Sequence, residues 1–183
     1  QLIHGATDAH FWARDYERDL TDVLKLQSEV ARTVADDIRI QVTAEERALL
    51  ASARRIDPQA HEAYLLGRYH FSKNNEQDWK QAIAYFERAI ELAPDYAAAY
   101  AGLSDAWLHL GIFGVKAFKE VESPARSAAL KAMKLDEQLT DAHIALANIK
   151  HFCDWDWAGS EQEFRRALEL DPSSFDAHIY YGT

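Results

Sequence analysis

The feature that most constrains this chain is a pattern that occurs three times. A helix-like segment rich in alanine, aromatic and charged residues is followed by a short turn, and its copies read WKQAIAYFERAIELAPDYAAAY, SPARSAALKAMKLDEQLTDAH and WAGSEQEFRRALELDPSSFDAH. Aligned on the small residue after a basic residue, Ala89, Ala132 and Ala167, the copies lie 43 and 35 residues apart. Periods of about 20–50 residues indicate arrays in which each unit buries its apolar face against the next. The sequence therefore predicts stacked helical units.

Small and large side chains alternate as a stack of helix pairs requires. Antiparallel helices approach closely only where side chains are small, and large side chains must fill the remaining gaps. The predicted small positions are Gly67, Ser104, Ala147 and Gly182 on the first helices, and Ala82, Ala125 and Ser160 on the second helices. Phe86 and Phe164 are the predicted fillers, opposite Ala89, Ala132 and Ala167, and Trp79 and Trp157 fall at the turn within a pair.

Composition excludes several classes of protein. The 183 residues carry a net charge of −10, whereas proteins that bind a phosphate backbone cluster Lys and Arg, so direct nucleic acid binding is not expected. Cys153 is the single cysteine, which rules out an intrachain disulfide. No apolar run approaches the roughly 18 residues of a membrane span. Because the chain starts at Gln1 and stops inside a repeat, we expect a piece of a longer protein.

The first residues differ from the repeats. Leu2 and Ile3 precede a turn-prone HGATD segment and then HFWARDY, a pattern that predicts a short β-hairpin. A helix with apolar residues at helical spacing follows, and residues 42–57 are predicted to form a connecting helix and linker, since Thr43-Ala44-Glu45-Glu46 fits a capping box. The open edge of such a hairpin favours a homodimer through that edge.

The four prolines are expected to punctuate helices. Pro58 follows Asp57, so it suits the first helical position, where its missing N–H has no consequence. Pro124 and Pro172 fit the same interpretation, and Pro94 is expected to close a helix. An alternative for Pro124 places it in the first turns of a helix that begins upstream.

These residues match the tetratricopeptide pattern, and the resemblance covers roughly residues 58–183. It implies a mostly α fold: a tetratricopeptide-like αα-hairpin array (an α-solenoid) of about three repeats plus the start of a fourth, preceded by the short β-hairpin and helix. The second repeat departs most from the pattern, because Glu137 replaces the usual proline and Ala129 the usual aromatic residue. Its insert, residues 111–118, is rich in apolar residues, and we expect it to pack over the edge of the array or, alternatively, to help in binding.

A second resemblance concerns the front of the chain. QLI, a turn and HFWARDYERDLTDVLKLQSEVARTVADDI, which lead into repeats with DWDWAGSEQEFRRALELDP, resemble the TolB-like domain plus tetratricopeptide region of large bacterial signalling proteins. The resemblance implies that residues 1–41 are the C-terminal remnant of a TolB-like α/β domain. In that family the upstream part is often a class III adenylate cyclase or a winged-helix domain like that of CadC-type regulators. This sequence contains no motif of either.

One local cluster has residue types that bind metals. His151, Cys153, Asp154 and Asp156 lie close together, but zinc sites generally combine two separated pairs of ligands, and no second pair is present. The preferred interpretation is that both aspartates cap helices, while Trp155 and Trp157 pack. Catalytic and phosphate-binding motifs are missing from the sequence. We therefore predict no catalytic residue, no metal and no cofactor, and a chain that is not itself an enzyme.

The resemblance also implies a binding face. In tetratricopeptide arrays the first helices line the concave surface, and their outward positions contact ligands. The corresponding residues of this chain mix aromatic, charged and amide side chains: His61, Tyr64, Arg68, Phe71, Asp105, Leu108, His109, Asp141, Ile144, Asn148 and His151. Such a surface suits an extended peptide or a helix of a partner protein. It lacks the repeated Lys and Arg that clamp acidic tails. Alternatively, the next helix of the intact protein fills this groove.

The predicted function is a protein–protein interaction scaffold of a multidomain bacterial signalling or transcriptional regulator. The alternative is a non-catalytic sensory or dimerisation region of a class III nucleotide cyclase. Acidic composition with one cysteine favours the cytoplasm, and the resemblance to CadC-like proteins offers the periplasmic part of an inner-membrane protein as the alternative.

Overall fold

The computed structural model describes residues 2–4, 9–12 and 56–182. The chain divides into two compact units, Gln1–Pro58 and Gln59–Thr183. In the first unit, strands β1 (Leu2–His4) and β2 (Ala9–Trp12) pair antiparallel, with Leu2 opposite Trp12. Residues 5–8 and 13–55 lie outside the described residues, so the hairpin turn, the helix after it and the connecting helix of residues 42–57 stay predictions. The TolB-like remnant of residues 1–41 stays one as well.

The described part of the second unit is helical throughout. Its helices are α1 (Pro58–Ser72), α2 (Glu76–Leu92), α3 (Ala97–Ile112), α4 (Phe118–Leu135), α5 (Thr140–Ile149), α6 (Trp157–Leu170) and α7 (Phe175–Tyr181). One π-helical turn, Lys150–Asp154, extends α5. The order gives three helix pairs, α1 with α2, α3 with α4 and α5 with α6, and α7 begins a fourth. Among the described residues, no helix has both the length and the apolar character needed to cross a membrane.

The predicted small positions are where the helices meet. Six of the seven are buried: Gly67, Ala82, Ser104, Ala125, Ala147 and Ser160. The hydroxyl of Ser160 donates a hydrogen bond of 3.0 Å to the carbonyl oxygen of Ala147, which ties α6 to α5 at this position. The seventh, Gly182, follows α7 and is exposed.

Phe86 is the central filler of the first pair. Its side chain is fully buried, and Gly67 of α1 and Gly102 of α3 both face the ring. A Cβ atom added to either glycine would lie 2.6 Å from a ring carbon, closer than side-chain atoms tolerate. The ring therefore locks α2 against two helices at once, and glycine is required at both points.

The second pair is packed differently. Ala125, Ala129 and Ala132 of α4 meet Leu108 and neighbouring small residues, so this interface is built mostly from methyl groups. Gly111 of α3 admits the side chain of Val121, whose methyl carbon would lie 2.5 Å from an added Cβ. Helices α3 and α4 therefore pack closely through small side chains, without a large aromatic side chain such as Phe86 between them.

Helix boundaries confirm some proline predictions and correct others. Pro58 opens α1, as predicted, whereas Pro124 lies inside α4, as the alternative interpretation has it. The prediction for Pro172 is wrong: α7 begins at Phe175 with Ser174 as its N-cap, so Pro172 belongs to the preceding turn. The Ser174 hydroxyl accepts the N–H of Ala177 and makes the later start stable.

The apolar insert of the second repeat mostly packs. Val115 and Phe118 are partly buried against the two cores beside them, and Phe118 already belongs to α4. Phe113 stacks on Trp79 with the ring centroids 4.8 Å apart, although more than half of its surface is exposed. Gly114, with φ of 71°, makes the turn between α3 and α4 possible.

Candidate functional site

Side chains from α1, α3, α5 and α7 meet on one surface, which we call the first-helix face. The guanidinium of Arg68 on α1 lies 3.5 Å from a carboxylate oxygen of Asp141 on α5 and 3.7 Å from one of Asp176 on α7. A single side chain thus reaches from the first helix pair to the third and the fourth. Because one arginine spans only a few ångströms beyond its own helix, the surface formed by these helices must curve inwards.

Negative charge exceeds positive charge at the centre of this face. Asp105, Asp141 and Asp176 surround Arg68, and all four groups influence one another electrostatically. Burial raises the pKa of the Asp105 carboxyl to about 7, and the nearby charge of Asp141 acts in the same direction. Burial also raises the pKa of Asp141, against the opposing effect of Arg68. These carboxyl groups therefore carry an energetic cost when they are ionised.

Asn148 completes the polar cluster from α5. Its amide Nδ2 donates to Asp105 Oδ1 at 3.4 Å, and the side chain is almost fully buried. Within the described part of the chain, Asn148 Oδ1 has no hydrogen-bond partner. A buried acceptor without a partner is unusual in proteins and destabilising.

Aromatic rings border the charged cluster. Phe71 of α1 meets His109 of α3 edge-on at 4.6 Å between centroids. His109 Nδ1 contacts the backbone oxygen of Asp105 at 2.8 Å, and His109 Nε2 lies 3.4 Å from the hydroxyl of Tyr180. Both ring nitrogens are engaged, and burial lowers the pKa of His109. The histidine thus serves to orient neighbours rather than as a free base.

A second aromatic group lies near the start of α1. His61 Nδ1 is 2.9 Å from the hydroxyl oxygen of Tyr96, and Tyr64 contacts the same tyrosine with ring centroids 5.0 Å apart. Tyr64 also touches Phe86, so it is held by the core beneath it. His61 and Tyr64 are therefore partly exposed but fixed in orientation.

Three of the predicted face residues are buried: Asn148 in the polar cluster described above, and Leu108 and Ile144 in apolar cores. Leu108 is 1% exposed in the core formed with the alanines of α4, and Ile144 is 2% exposed among Ala147, Phe164 and their neighbours. Their helical positions point towards adjacent helices, because α3 and α5 are each covered on several sides. As surface contacts these two predictions are wrong.

His151 lies apart from the other predicted residues. It belongs to the π-helical turn and contacts Phe152 and Trp157, each with ring centroids 4.6 Å away. Trp155 and Trp157 were expected to pack, but they are 70% and 54% exposed. Trp155 has a φ of 57°, in the left-handed region that few residues other than glycine adopt.

The residues of the metal alternative have other roles. Asp154 accepts two hydrogen bonds from the guanidinium of Arg126, at 2.5 and 2.9 Å, and this contact lowers the pKa of the carboxyl. Asp154 therefore pairs with an arginine instead of capping a helix, while Asp156 does cap α6 through Gly159. Burial raises the pKa of Cys153 to about 11, which keeps the thiol protonated and unreactive. Among the described residues, no three His, Cys, Asp or Glu side chains are arranged so that they could hold a metal ion.

Sequence reasoning missed Asp176 and Tyr180, both on α7. Asp176 precedes Gly182 by six residues, as His61 precedes Gly67 and Asp141 precedes Ala147. The same offset applied to the fourth repeat would have selected it. Two shallow concavities elsewhere on the described surface, near Met133 and near Lys119, include none of the predicted face residues.

Comparison with known proteins gives sequence relatives in bacteria. No family model matches the chain. It is 35% identical over 104 residues to "Putative adenylate cyclase 3" of Rhizobium meliloti, which covers 57% of this chain and 18% of that protein. It is 24% identical over 119 residues to the transcriptional regulator HilA of Salmonella typhimurium, which covers 65% of this chain and 21% of HilA. The chain thus spans about a fifth of the length of these relatives.

Solved structures of tetratricopeptide domains resemble the helical unit in fold. The tetratricopeptide domain of Arabidopsis OM64 superposes with a TM-score of 0.52 at 20% identity and covers 66% of this chain and 89% of that domain. The first tetratricopeptide domain of Spaghetti (RPAP3), bound to the HSP90 peptide SRMEEVD, gives 0.52 at 18% identity, with 68% and 88% covered. The described helices therefore have a tetratricopeptide fold.

Proposed function

We propose that the helical unit is a protein-interaction module whose first-helix face grips an extended peptide or a helix of a partner. The observation that supports this most directly is the convergence of four first helices on one curved surface with charged, aromatic and unsatisfied polar groups. Binding of this kind needs no chemistry by the chain itself, only shape, aromatic contact area and a few charges. Phe71, Tyr64 and His109 supply the aromatic area.

Proteins of similar fold that are solved with bound ligands support the proposal. The RPAP3 domain holds an HSP90 peptide, and the TPR2B domain of yeast Sti1, with a TM-score of 0.50 at 22% identity, is a complex with pHsp70. Those ligands belong to those proteins. What they share with this chain is an array of antiparallel helix pairs that presents first helices on a single face.

We further infer that this module works inside a multidomain bacterial signalling or transcriptional regulator. Relatives named as an adenylate cyclase and as a transcriptional regulator, with different activities in their names, both contain a region similar to this chain. A region shared between different activities suits a binding or regulatory role. The TolB-like remnant, a dimer through the first hairpin and a cytoplasmic location remain parts of this proposal.

The second candidate function is a non-catalytic sensory or dimerisation region of a nucleotide cyclase. It is favoured by the 35% identity to the Rhizobium meliloti protein, which exceeds the 24% to HilA. The second candidate requires dimerisation, so light scattering should give twice the chain mass at micromolar concentration. A monomer would exclude that candidate and would leave the peptide-binding scaffold standing without its hairpin dimer.

The main proposal is tested by selecting ligands and locating them. A displayed library of random twelve-residue peptides is enriched on the immobilised chain, and the enriched peptides are then offered to chains carrying a photo-crosslinking benzoylphenylalanine at one position. We expect crosslinks when it replaces Arg68 on the first-helix face. The matched control replaces Leu130, an exposed residue of α4.

Two outcomes would contradict the proposal. One is that no peptide is enriched over an unrelated immobilised protein. The other is that enriched peptides crosslink at position 130 as strongly as at position 68, which would place binding on another surface or on none in particular.

A further inference from the structure

The first-helix face has more acceptors than donors at its centre. Asp105, Asp141 and Asp176 hold six carboxyl oxygens, one of which already accepts from Asn148, whereas Arg68 is the one cation that the described residues place among them. Its distances of 3.5 and 3.7 Å to two of the carboxylates are longer than those of strong charge-assisted hydrogen bonds, which are about 2.7–2.9 Å. Arg68 therefore neutralises the cluster only in part, and its side chain stays 40% exposed.

Asn148 provides a second and independent observation. It is 2% exposed, its Nδ2 donates to Asp105 Oδ1, and its Oδ1 lacks a partner among the described residues. An oxygen of this kind can be satisfied only by a hydrogen-bond donor. Any group that pairs with this oxygen must therefore be a donor, which is also what the surplus of carboxylates favours.

We infer that the centre of the first-helix face binds a cationic side chain, lysine or arginine, of an extended segment of a partner protein. This inference rests on the proposed function and specifies the chemistry of the ligand. A lysine ammonium or arginine guanidinium offers only donors and a positive charge, so it suits the partly exposed carboxylates of Asp141 and Asp176. Its donors are also of the type that the unpartnered oxygen of Asn148 requires. The aromatic rings of Phe71 and Tyr64 lie beside the cluster and can contact the apolar stem of such a side chain.

The opposite ligand chemistry is disfavoured. The peptide held by the RPAP3 domain, SRMEEVD, ends in acidic residues. An acidic segment on the first-helix face of this chain would meet Asp141 and Asp176, and Asp105 in its ionised form, with one arginine to offset them. Like charges brought together at an interface cost binding free energy. The same fold is therefore expected to select ligands of the opposite charge here.

Arg68 has a distinct role in this site. It is a cation supplied by the chain itself and occupies part of the space around Asp141 and Asp176. A cationic ligand must share these carboxylates with it. Removing the charge of Arg68 should consequently strengthen the binding of a cationic ligand, which a simple loss of structure would not do.

The test uses the whole 183-residue chain and three fluorescein-labelled nine-residue peptides in which alanine alternates with arginine, glutamine or glutamate. Fluorescence anisotropy at low and at physiological salt gives the affinities. We expect the arginine peptide to bind most tightly. Combining Asp141→Asn with Asp176→Asn should weaken it about tenfold or more, and Arg68→Gln should strengthen it several-fold. The matched control is Glu87→Gln, which removes an exposed carboxylate of α2 and should leave the affinity unchanged.

Several results would overturn the inference. Three of them are equal affinity for the arginine and glutamine peptides, tighter binding of the glutamate peptide, and weaker binding of the arginine peptide to Arg68→Gln. The fourth is a loss of affinity in Glu87→Gln as large as in the double variant, because that result would show non-specific attraction to an acidic protein. Library peptides that crosslink at position 68 but bind the double variant normally would leave the proposed function standing and overturn this inference alone. Failure of the library selection and of the arginine peptide together would overturn both.

Discussion

The interior of the helix pairs and the first-helix face obey different rules. Inside, the ring of Phe86 fills the space left by Gly67 and Gly102, and Ala125 and Ala129 let α3 and α4 approach until methyl groups touch. On the face, Asp105 has a raised pKa and Asn148 carries an unpartnered oxygen. The interior optimises contact, whereas the face retains groups that cost stability while no ligand is bound.

This contrast indicates that the interior of each helix pair provides the stability of the fold, while the first-helix face provides ligand recognition. Local violations of good packing and hydrogen bonding tend to mark functional sites, because a protein retains them only where they serve another purpose. Variants of the interior should therefore destabilise the fold without altering ligand preference. Variants of the face should do the reverse, and some should stabilise the fold.

The largest effect is expected for Phe86→Ala. It removes the ring that contacts α1 and α3 together, and the glycines opposite cannot fill the cavity. We expect a loss of about 3–5 kcal/mol in the free energy of unfolding, measured by urea denaturation followed by circular dichroism. A loss below about 1 kcal/mol would show that the interior does not depend on this filler, and the contrast drawn above would fail.

A smaller loss is expected when a small position is enlarged. Ala89→Leu and Ala167→Leu each force extra atoms into a fully buried site and should cost about 1–3 kcal/mol in stability. The matched control is Ala84→Leu, at an exposed position of α2, the helix that contains Ala89. It should change stability by less than about 0.5 kcal/mol. Thermal melting of the three variants is sufficient. Unchanged melting of both buried-site variants would mean that the helices do not pack through these residues.

A substitution on the first-helix face is expected to increase the free energy of unfolding instead of lowering it. The pKa of Asp105 is about 7 in the fold against an ordinary value of 3.8, so the folded state binds a proton that the unfolded state has released between these values. Its contribution to stability is present below pH 4 and is lost as the pH rises through 7. Asp105→Asn should therefore be more stable than the native chain by about 1–2 kcal/mol at pH 8, with little or no advantage at pH 4.

Urea denaturation at pH 4, 6 and 8 provides the measurement for this variant. The groups that interact with the Asp105 carboxyl stay unchanged in this variant: Arg68, Asp141, Asn148, Asp176, Tyr64 and Tyr180. A difference in stability that is the same at all three pH values would indicate a change of packing rather than of ionisation, and it would remove one of the two features that set the face apart.

Much of the interior was predictable from the sequence. Periodicity and side-chain size identified six buried small positions and the filler Phe86, because close packing between helices restricts which residues fit. Gly102 escaped prediction, since its contact is with the helix of a neighbouring pair rather than with its own. Such contacts depend on how the pairs are rotated, which a repeat pattern does not encode.

The candidate site was less predictable. Offsets along a helix selected Arg68, Asp105 and Asn148, which lie close together in the structure. The same offsets also selected Leu108 and Ile144, which adjacent helices cover. A helix in the middle of an array is enclosed on most sides. An offset along its sequence therefore predicts the direction in which a side chain points, but not whether that side chain is exposed to solvent. Trp155 is exposed and is itself left-handed, directly after a π-helical turn, and single backbone conformations of this kind leave little trace in composition.

The reach of Arg68 has a mechanical consequence. In most solenoids each repeat touches only its neighbours, so bending is a sum of independent local steps. Here the Arg68 side chain on α1 forms ion pairs with α5 of the third helix pair and with α7, which begins the fourth. Ions screen exposed charge pairs, so raising the salt concentration should weaken these long-range contacts and increase the radius of gyration of the array.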